Sequence, residues 1–283
     1  MDSLGISVVV STYNKEEWLR KVLEGYKYQT YDHYEVIVAD DGSRASTREL
    51  IDTMRKDYPV PLHHIWHEDE GYRRQRILNV AITSANMPYI LFTDGDCIPR
   101  KDFVEVHAKY AEEGYFLSGG YCKLPMKTSE LIDEDDIRTE RCFDVSWLKQ
   151  QDRLKGTQAL KLNSGPVMAS ILDYLTPTNA SFNNCNSSAW KEDLIAINGY
   201  DERMQYGGPD RELGERLENF GLKPKQIRHK AIVLHLDHAR GYKTKESLER
   251  NLAIRKAVKV ENKKWTEHGI IKGPQQGTDA SDT

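Results

Sequence analysis

The sequence has little cysteine, and what it has shows no pattern. Cys97, Cys122, Cys142 and Cys185 lie far apart among 283 residues, with no CxxC pair. That excludes a zinc-finger-type site and a disulfide framework. It reads instead as reduced thiols in a cytoplasmic protein. No apolar run approaches the roughly 18 residues that a membrane-spanning helix needs. Residues 1–5 are too short and too polar for a signal peptide, so the sequons at Asn179 and Asn186 are not expected to carry glycans. Positive charge is not in excess either: 40 Lys and Arg stand against 44 Asp and Glu, a formal net charge of −4. Without a global basic field no nucleic-acid partner is expected. The length is still enough to bury a sizeable core without disulfides.

What the sequence does have is alternation of apolar runs and amphipathic stretches. Residues 6–10 form a continuous β-branched run, as in a buried parallel strand. Asn14 can N-cap the next helix, with Glu17 as capping-box partner, and Trp18, Leu19, Val22, Leu23 and Tyr26 share one helical face. Strands over 34–39, 62–66 and 89–93 follow, separated by helices over 47–58 and 72–84. Three βα units in a row predict an α/β fold with a single Rossmann-like, mostly parallel sheet flanked by helices. Ligands of such sheets bind outside the carboxyl ends of the strands. Those ends carry Ser11-Thr12-Tyr13, Asp40-Asp41, Glu68-Asp69-Glu70 and Asp94-Gly95-Asp96. Further on, Asp133-Glu134-Asp135-Asp136 reads as a solvated loop or helix start. Residues 156–166 read as a loop, of the kind that can cover an active edge. A last strand over 232–236 ends in His235-Leu236-Asp237-His238.

Asp94-Gly95-Asp96 is the most chemical of these ends. Burying even one unpaired carboxylate costs several kcal/mol. Hard oxygen ligands of this kind suit Mg²⁺ or Mn²⁺, with phosphate oxygens completing the shell. Alone, the tripeptide is equally good turn chemistry. A neutral imidazole from His235 or His238 could join such a site. Three apart on an extended strand, the two cannot point the same way, so one ligates while the other packs. His64 and His67 are separated by the same alternation and read as structural. Pro209 suits a helix start and Gly207-Gly208 allow close backbone approach. Asp210 then lies in a first helical turn, where it either faces the helix dipole or serves as a general base.

In order, Val8-Val9-Val10-Ser11-Thr12-Tyr13-Asn14, Val38-Ala39-Asp40-Asp41-Gly42-Ser43 and Leu91-Phe92-Thr93-Asp94-Gly95-Asp96 resemble the signature of family 2 glycosyltransferases with a GT-A fold. Asn198-Gly199-Tyr200-Asp201-Glu202, followed by Tyr206-Gly207-Gly208-Pro209-Asp210-Arg211-Glu212, resembles the C-terminal part shared by β-1,4-galactosyltransferases and bacterial chondroitin-type polymerases. The resemblance spans residues 5–240. It implies metal-dependent, inverting transfer of a sugar from a nucleotide diphosphate sugar, with a UDP-sugar favoured. The implied acceptor is a glycan or lipid-linked hydroxyl in surface polysaccharide synthesis. By resemblance, Ser11, Thr12, Tyr13 and Asp40 or Asp41 hold the nucleoside, and Asp94 with Gly95 faces the ribose and metal. Asp96 and His238, with His235 as alternate, ligate Mn²⁺ or Mg²⁺, and Asp210 is the catalytic base. Asn183, Asn184, Trp190 and Gly208 fall where donor-sugar or acceptor contacts are expected.

The sequence departs from the family pattern in places. Ser11 stands where many members have Pro, and Leu78 where many have Arg, so Arg73 or Arg76 would supply the diphosphate or base contacts. Tyr206 and Pro209 replace the Trp and Glu of the Trp-Gly-Gly-Glu-Asp form, leaving Glu212 as the substitute acid. The implied organisation is a GT-A domain over 1–242, with a nucleotide-binding part over 1–120 and an acceptor and catalytic part over 121–242. A helix over 243–265 and a disordered tail over 266–283 follow. The basic segment 243–264 reads as a helix packed on the catalytic domain, with peripheral contact to an anionic membrane as the alternative. A sugar nucleotidyltransferase would show a Gly-rich, basic phosphate loop after the first strand, which Ser11 to Asn14 lack. An inactive nucleotide-sugar or glycan-binding module is argued against by Asp94, Asp96, Asp210 and His238.

Overall fold

The computed structural model describes residues 3–239 and 244–272. All seven residues of Ile6–Thr12 (β1) are buried, as are those of Tyr34–Asp40 (β2). Helix Glu16–Lys27 (α1) connects them, and Ala45–Arg55 (α2) leads to Leu62–Trp66 (β3). Arg74–Ser84 (α3) then brings the chain to Tyr89–Asp94 (β4). The strands run β3-β2-β1-β4, all parallel. Because β2 and β4 lie on opposite sides of β1, the strand order reverses there. That reversal opens a crevice beyond the ends of β1 and β4.

Past β4 the chain turns at Gly95 into Cys97–Pro99 (β5), then Phe103–Tyr110 (α4), Tyr115–Ser118 (β6) and Gly120–Lys123 (β7). A helical segment follows: Met126–Leu131 (α5), Glu134–Arg138 (α6), Val145–Gln151 (α7), Gly156–Asn163 (α8) and Pro166–Leu175 (α9). Ser187–Trp190 (β8) and Lys191–Ala196 (α10) return to the sheet, before Pro209–Phe220 (α11), Lys223–Gln226 (β9), Ile232–His235 (β10) and Lys245–Val260 (α12). β8 joins β4 antiparallel, and β6 and β9 extend the sheet to seven strands. The sheet is not single, as the sequence reading had it. β5, β10 and β7 form a second, three-stranded sheet, with His235 opposite both Cys97 and Lys123.

Strand alternation divides the core between two faces. Val8, Val10, Val36, Val38 and Leu91 join Leu19, Leu23 and Tyr26 of α1 on one side. Val9, Ile37 and Phe92 join Ile77 and Ile82 of α3, Tyr200, and Leu213 and Leu217 of α11 on the other. Each fully buried side chain of this size contributes about 1.5–3 kcal/mol.

Several local expectations are corrected. Asn14 does not cap α1: Lys15 stands at that position without a side-chain cap. Asn14 has φ 48° and accepts instead from the Arg44 amide at 3.0 Å. Residues 156–166 are mostly helical rather than a loop. Pro166 starts α9, and the Lys155 amide donates to Gln158 Oε1 at 3.0 Å ahead of α8. The acidic run 133–136, by contrast, is a helix start as one of its two readings expected: it opens α6 through a capping box on Asp133. Residues 266–272, expected in the disordered tail, are packed. Asn198 Nδ2 donates to the Thr266 and Ile271 carbonyls at 2.7 and 2.8 Å. The remainder of that tail, 273–283, and residues 240–243 lie outside the described residues.

Candidate active site

Ser11 of β1 lies opposite Asp94 of β4, at the crevice. Its hydroxyl donates to Asp94 Oδ1 at 2.9 Å and accepts from Arg74 at 2.7 and 3.0 Å. Arg74, the first residue of α3, also ion-pairs with Asp94. The departure from the family pattern at Leu78 predicts this cation at Arg73 or Arg76. Arg73 is turned to Glu70 and the Glu68 carbonyl, and Arg76 is exposed. Three arginines within four residues hid which one the helix start aims inward. The Gly95 amide donates to the Ser11 carbonyl at 2.8 Å, which locks the turn between the two acids.

Asp96 meets both histidines. His238 Nε2 is 3.0 Å from Asp96 Oδ2, and His235 Nε2 is 3.9 Å from Oδ1. The imidazoles stack at 5.7 Å with 11° between their planes. The expectation that they face opposite ways fails because β10 ends at His235, so alternation does not extend to His238. The Nδ1 atoms donate to the Leu236 and Ala239 carbonyls at 2.8 and 2.9 Å. A carbonyl can only accept, so each Nδ1 carries a proton; His238 Nε2 donates to Asp96 in the protonated ring and offers a lone pair in the neutral one, the arrangement found behind metal-ligating histidines. Burial opposes the charge on Asp96, but the His238 hydrogen bond and both imidazoles outweigh it and hold the carboxyl low. The hydrogen bond to Asp96 raises His238 in turn. Ligand atoms of Asp96, His235 and His238 all lie within 4.8 Å of one another, as do those of Asp94, Asp96 and Cys97. One carboxylate and two imidazoles are a donor set that fits Mn²⁺-class ions.

On the nucleoside side, each acid is clamped by a histidine. Asp40 Oδ2 is 2.9 Å from His64 Nε2, and Asp41 Oδ1 is 2.8 Å from His67 Nε2. Burial raises Asp41. Tyr13 is half-exposed and its hydroxyl donates to Asp69 at 3.0 Å. Thr12 Oγ1 is buried with no partner among the described residues. A cavity of about 280 Å³, lined by Lys15, Trp18, Met126, Asp237 and His238, opens beside the histidines. A larger one, about 590 Å³, lies along β3 at the sheet edge and contains none of these acids.

Asp210 sits in the first turn of α11, after Gly207 and Gly208 at φ 111° and 92°. Burial raises its carboxyl, the Asp94 charge raises it further, and Arg74 counters. Asp210 therefore faces the Asp94–Arg74 pair. Tyr200, buried beneath, hydrogen-bonds Asn184 Oδ1, leaving Asn184 Nδ2 buried without a partner among the described residues. Asn183 accepts from Cys185 Sγ at 3.0 Å. The glycine pair has a second use: a Cβ on Gly207 would stand 2.3 Å from Leu248, and one on Gly208 3.3 Å from Arg255, both of α12.

Two expected contacts fall away. Trp190 packs edge-to-face on Tyr89 at 5.2 Å, at the end of β4 remote from Asp94. Glu212 is fully buried and bound to Arg216 at 2.6 Å, which itself holds the Ile197 and Gly199 carbonyls. Pairing to that guanidinium, not a bound acceptor, accounts for this acid.

Residues 7–130 match the family model for glycosyl transferase family 2, and residues 167–239 that for the N-terminal domain of galactosyltransferase. The chain carries a family 2 glycosyltransferase domain. A galactosyltransferase-like region follows it, and family 2 enzymes are inverting. Among the chain's relatives is the uncharacterized glycosyltransferase YfnE of Bacillus subtilis. It is 26% identical, over 87% of this chain and 68% of its own length. Validoxylamine A glucosyltransferase of Streptomyces hygroscopicus subsp. limoneus is also 26% identical, over 86% of this chain and 54% of its own. Chondroitin synthase of Pasteurella multocida is 22% identical, with 76% of this chain matching 23% of the synthase. The chain thus spans about half of the glucosyltransferase and a quarter of the synthase. Among solved structures, S. aureus TarS 1–349 in complex with UDP-GlcNAc superposes with TM-score 0.62 at 16% identity, covering 93% of this chain and 68% of that one. The mannosyltransferase PcManGT of Pyrobaculum calidifontis, in complex with GDP-Man and Mn²⁺, gives 0.56 at 18%, covering 89% and 60%. The fold is GT-A.

Proposed function

We propose that this chain transfers a sugar, with inversion, from a UDP-sugar to a hydroxyl of a glycan or lipid-linked acceptor in surface polysaccharide synthesis. One observation carries the reading: the Asp96–His235–His238 set adjoins Asp94, and Asp210 is close enough to Asp94 and Arg74 for both charges to act on its carboxyl. Asp40, Asp41, Ser11, Thr12 and Tyr13 line its nucleoside side, and residues 1–120 act as the nucleotide-binding part. Asp94 faces the ribose, oriented by Ser11 and Arg74. Asp96, His235 and His238 would hold Mn²⁺ or Mg²⁺, which when bound neutralises charge on the departing diphosphate. Asp210, from the 121–242 part, takes the acceptor hydroxyl proton. Its raised proton affinity and its seat on a helix start suit a base. Asn184, oriented by Tyr200, offers a free amide to a sugar hydroxyl.

The complexes of TarS with UDP-GlcNAc and of PcManGT with GDP-Man and Mn²⁺ support a nucleotide-sugar donor and a divalent ion. No helix among the described residues is long and apolar enough to cross a membrane. The four buried free thiols support a cytoplasmic setting. The test is a panel of nucleotide sugars with Mn²⁺ or Mg²⁺, read as donor-dependent nucleoside diphosphate release. Release from one UDP-sugar is the expected result. Release of pyrophosphate from a nucleoside triphosphate and a sugar phosphate would instead identify a nucleotidyltransferase, and donor binding without turnover an inactive module.

A further inference from the structure

The turn after β9 and helix α8 bring two cations to one dipeptide. Lys161 of α8 donates from Nζ to the Tyr121 carbonyl at 2.9 Å. Arg228 packs on the preceding residue so closely that a Cβ on Gly120 would stand 3.0 Å from the Arg228 Cβ. Neither side chain has an ion pair among the described residues, and Arg228 Nε is buried with no acceptor. Asp173, which also acts on Lys161, is already engaged by the His229 amide at 2.9 Å and Lys230 Nζ at 2.6 Å. Burial lowers the Lys161 ammonium and the Arg228 charge lowers it further, outweighing the opposing pull of Cys122, Cys185 and Asp173. A partly buried guanidinium with an unmet N–H is costly unless an anion arrives.

The place is also informative. The Tyr121 ring is half-exposed and lies 5.7 Å from the His235 ring. In the small sheet, β10 separates β7 from β5, so Tyr121 and its cations stand across His235 from the Asp94–Asp96 turn. The nucleoside-side acids Asp40, Asp41 and Asp94 lie at the ends of β2 and β4. The cations come from residues 121–242, the part that supplies Asp210. We propose that Lys161 and Arg228 form an oxyanion subsite for a carboxylate or phosphate of the acceptor glycan, whose adjoining sugar ring lies on Tyr121. The proposal rests on the glycosyltransferase reading and narrows its acceptor to an acidic one. Arg presents a fork suited to either oxyanion, and Lys a point charge beside it.

The test uses the full chain saturated with UDP and Mn²⁺, which fills the donor side. Methyl glucuronide, its neutral methyl ester and inorganic phosphate are titrated separately, following the Gly120 and Tyr121 amides by NMR. The glucuronide or phosphate should bind on the order of tenfold tighter than the ester and shift both amides, the scale of one charge-assisted hydrogen bond. R228Q and K161Q should bring that ratio close to one, and R228K should restore part of it. Among the described residues Arg228 has no side-chain partner to lose, so R228Q should melt with the parent. Equal binding of anions and ester by the parent, or an unchanged ratio in both variants, overturns the proposal. Weaker UDP binding in R228Q with the ratio intact would assign the pair to the donor diphosphate and overturn it too. Failure of the glycosyltransferase reading is separate: no donor would release nucleotide, whatever the anion ratio.

Discussion

Asp210 and Asp94 are two carboxylates held in one crevice with a single guanidinium between their fields. Their environments differ, and that difference divides the labour. Asp94 is hydrogen-bonded by Ser11 and paired with Arg74, which fixes its side chain in place. Asp210 is held above its ordinary proton affinity by burial and by Asp94. Asp210→Asn should therefore lower kcat by about 10²–10⁴-fold, the range of a lost general base. UDP affinity, read by calorimetry, should stay within a factor of two, and retained turnover would remove Asp210 from the mechanism. Arg74 provides a second check with a defined sign. A base must be unprotonated to act, so kcat/KM should fall as pH drops through the raised Asp210 value. Arg74 lowers that value, so Arg74→Gln should move the fall to higher pH. An acidic limb that stays in place would mean another group titrates. Arg74 was not legible in the sequence because the helix start that selects it from Arg73 and Arg76 is a tertiary decision.

At the level of elements, legibility followed length and locality. β1 and β2 are fully buried runs and β4 is buried up to Asp94, so their pattern needs no distant partner to be seen. β5 and β7 have three and four residues, and pair only because the Asp94–Asp96 turn reverses the chain beneath β10. Nothing local announces such strands. Gly156 and Pro166 read as breakers but open helices, a role that position rather than residue type decides. Glu212 belongs here as well: spaced four residues from Arg216 on α11, it braces the helix against the 197–199 turn. Glu212→Ala leaves Arg216 buried and uncompensated, which should cost about 3–5 kcal/mol. Urea unfolding at constant m-value measures this. The folded variant should keep its acceptor KM, whereas a raised KM at unchanged stability would return Glu212 to the acceptor site.

Over the whole molecule, the two sheets have separate duties that meet at one turn. The large sheet ends in the nucleoside-side acids, and the small sheet carries His235 to the second acid of that turn. The metal-ligand set is therefore a product of both sheets, and its assembly should be measurable as a thermodynamic linkage. A ligand that binds only the folded chain stabilises it by RT ln(1 + [L]/Kd), about 2.7 kcal/mol at a hundred times Kd. For a chain of this size that corresponds to about 4–5 °C in Tm. UDP with Mn²⁺ should produce such a rise, and UDP with EDTA a much smaller one. Asp96→Ala removes the carboxylate that both imidazoles face, so its Tm should respond to UDP identically with and without Mn²⁺. Trp190→Ala, at the far end of β4, should lower the starting Tm yet keep the full metal-dependent increment. If Asp96→Ala kept that increment, the ion would have to be held elsewhere, and the meeting of the two sheets would have only a structural meaning.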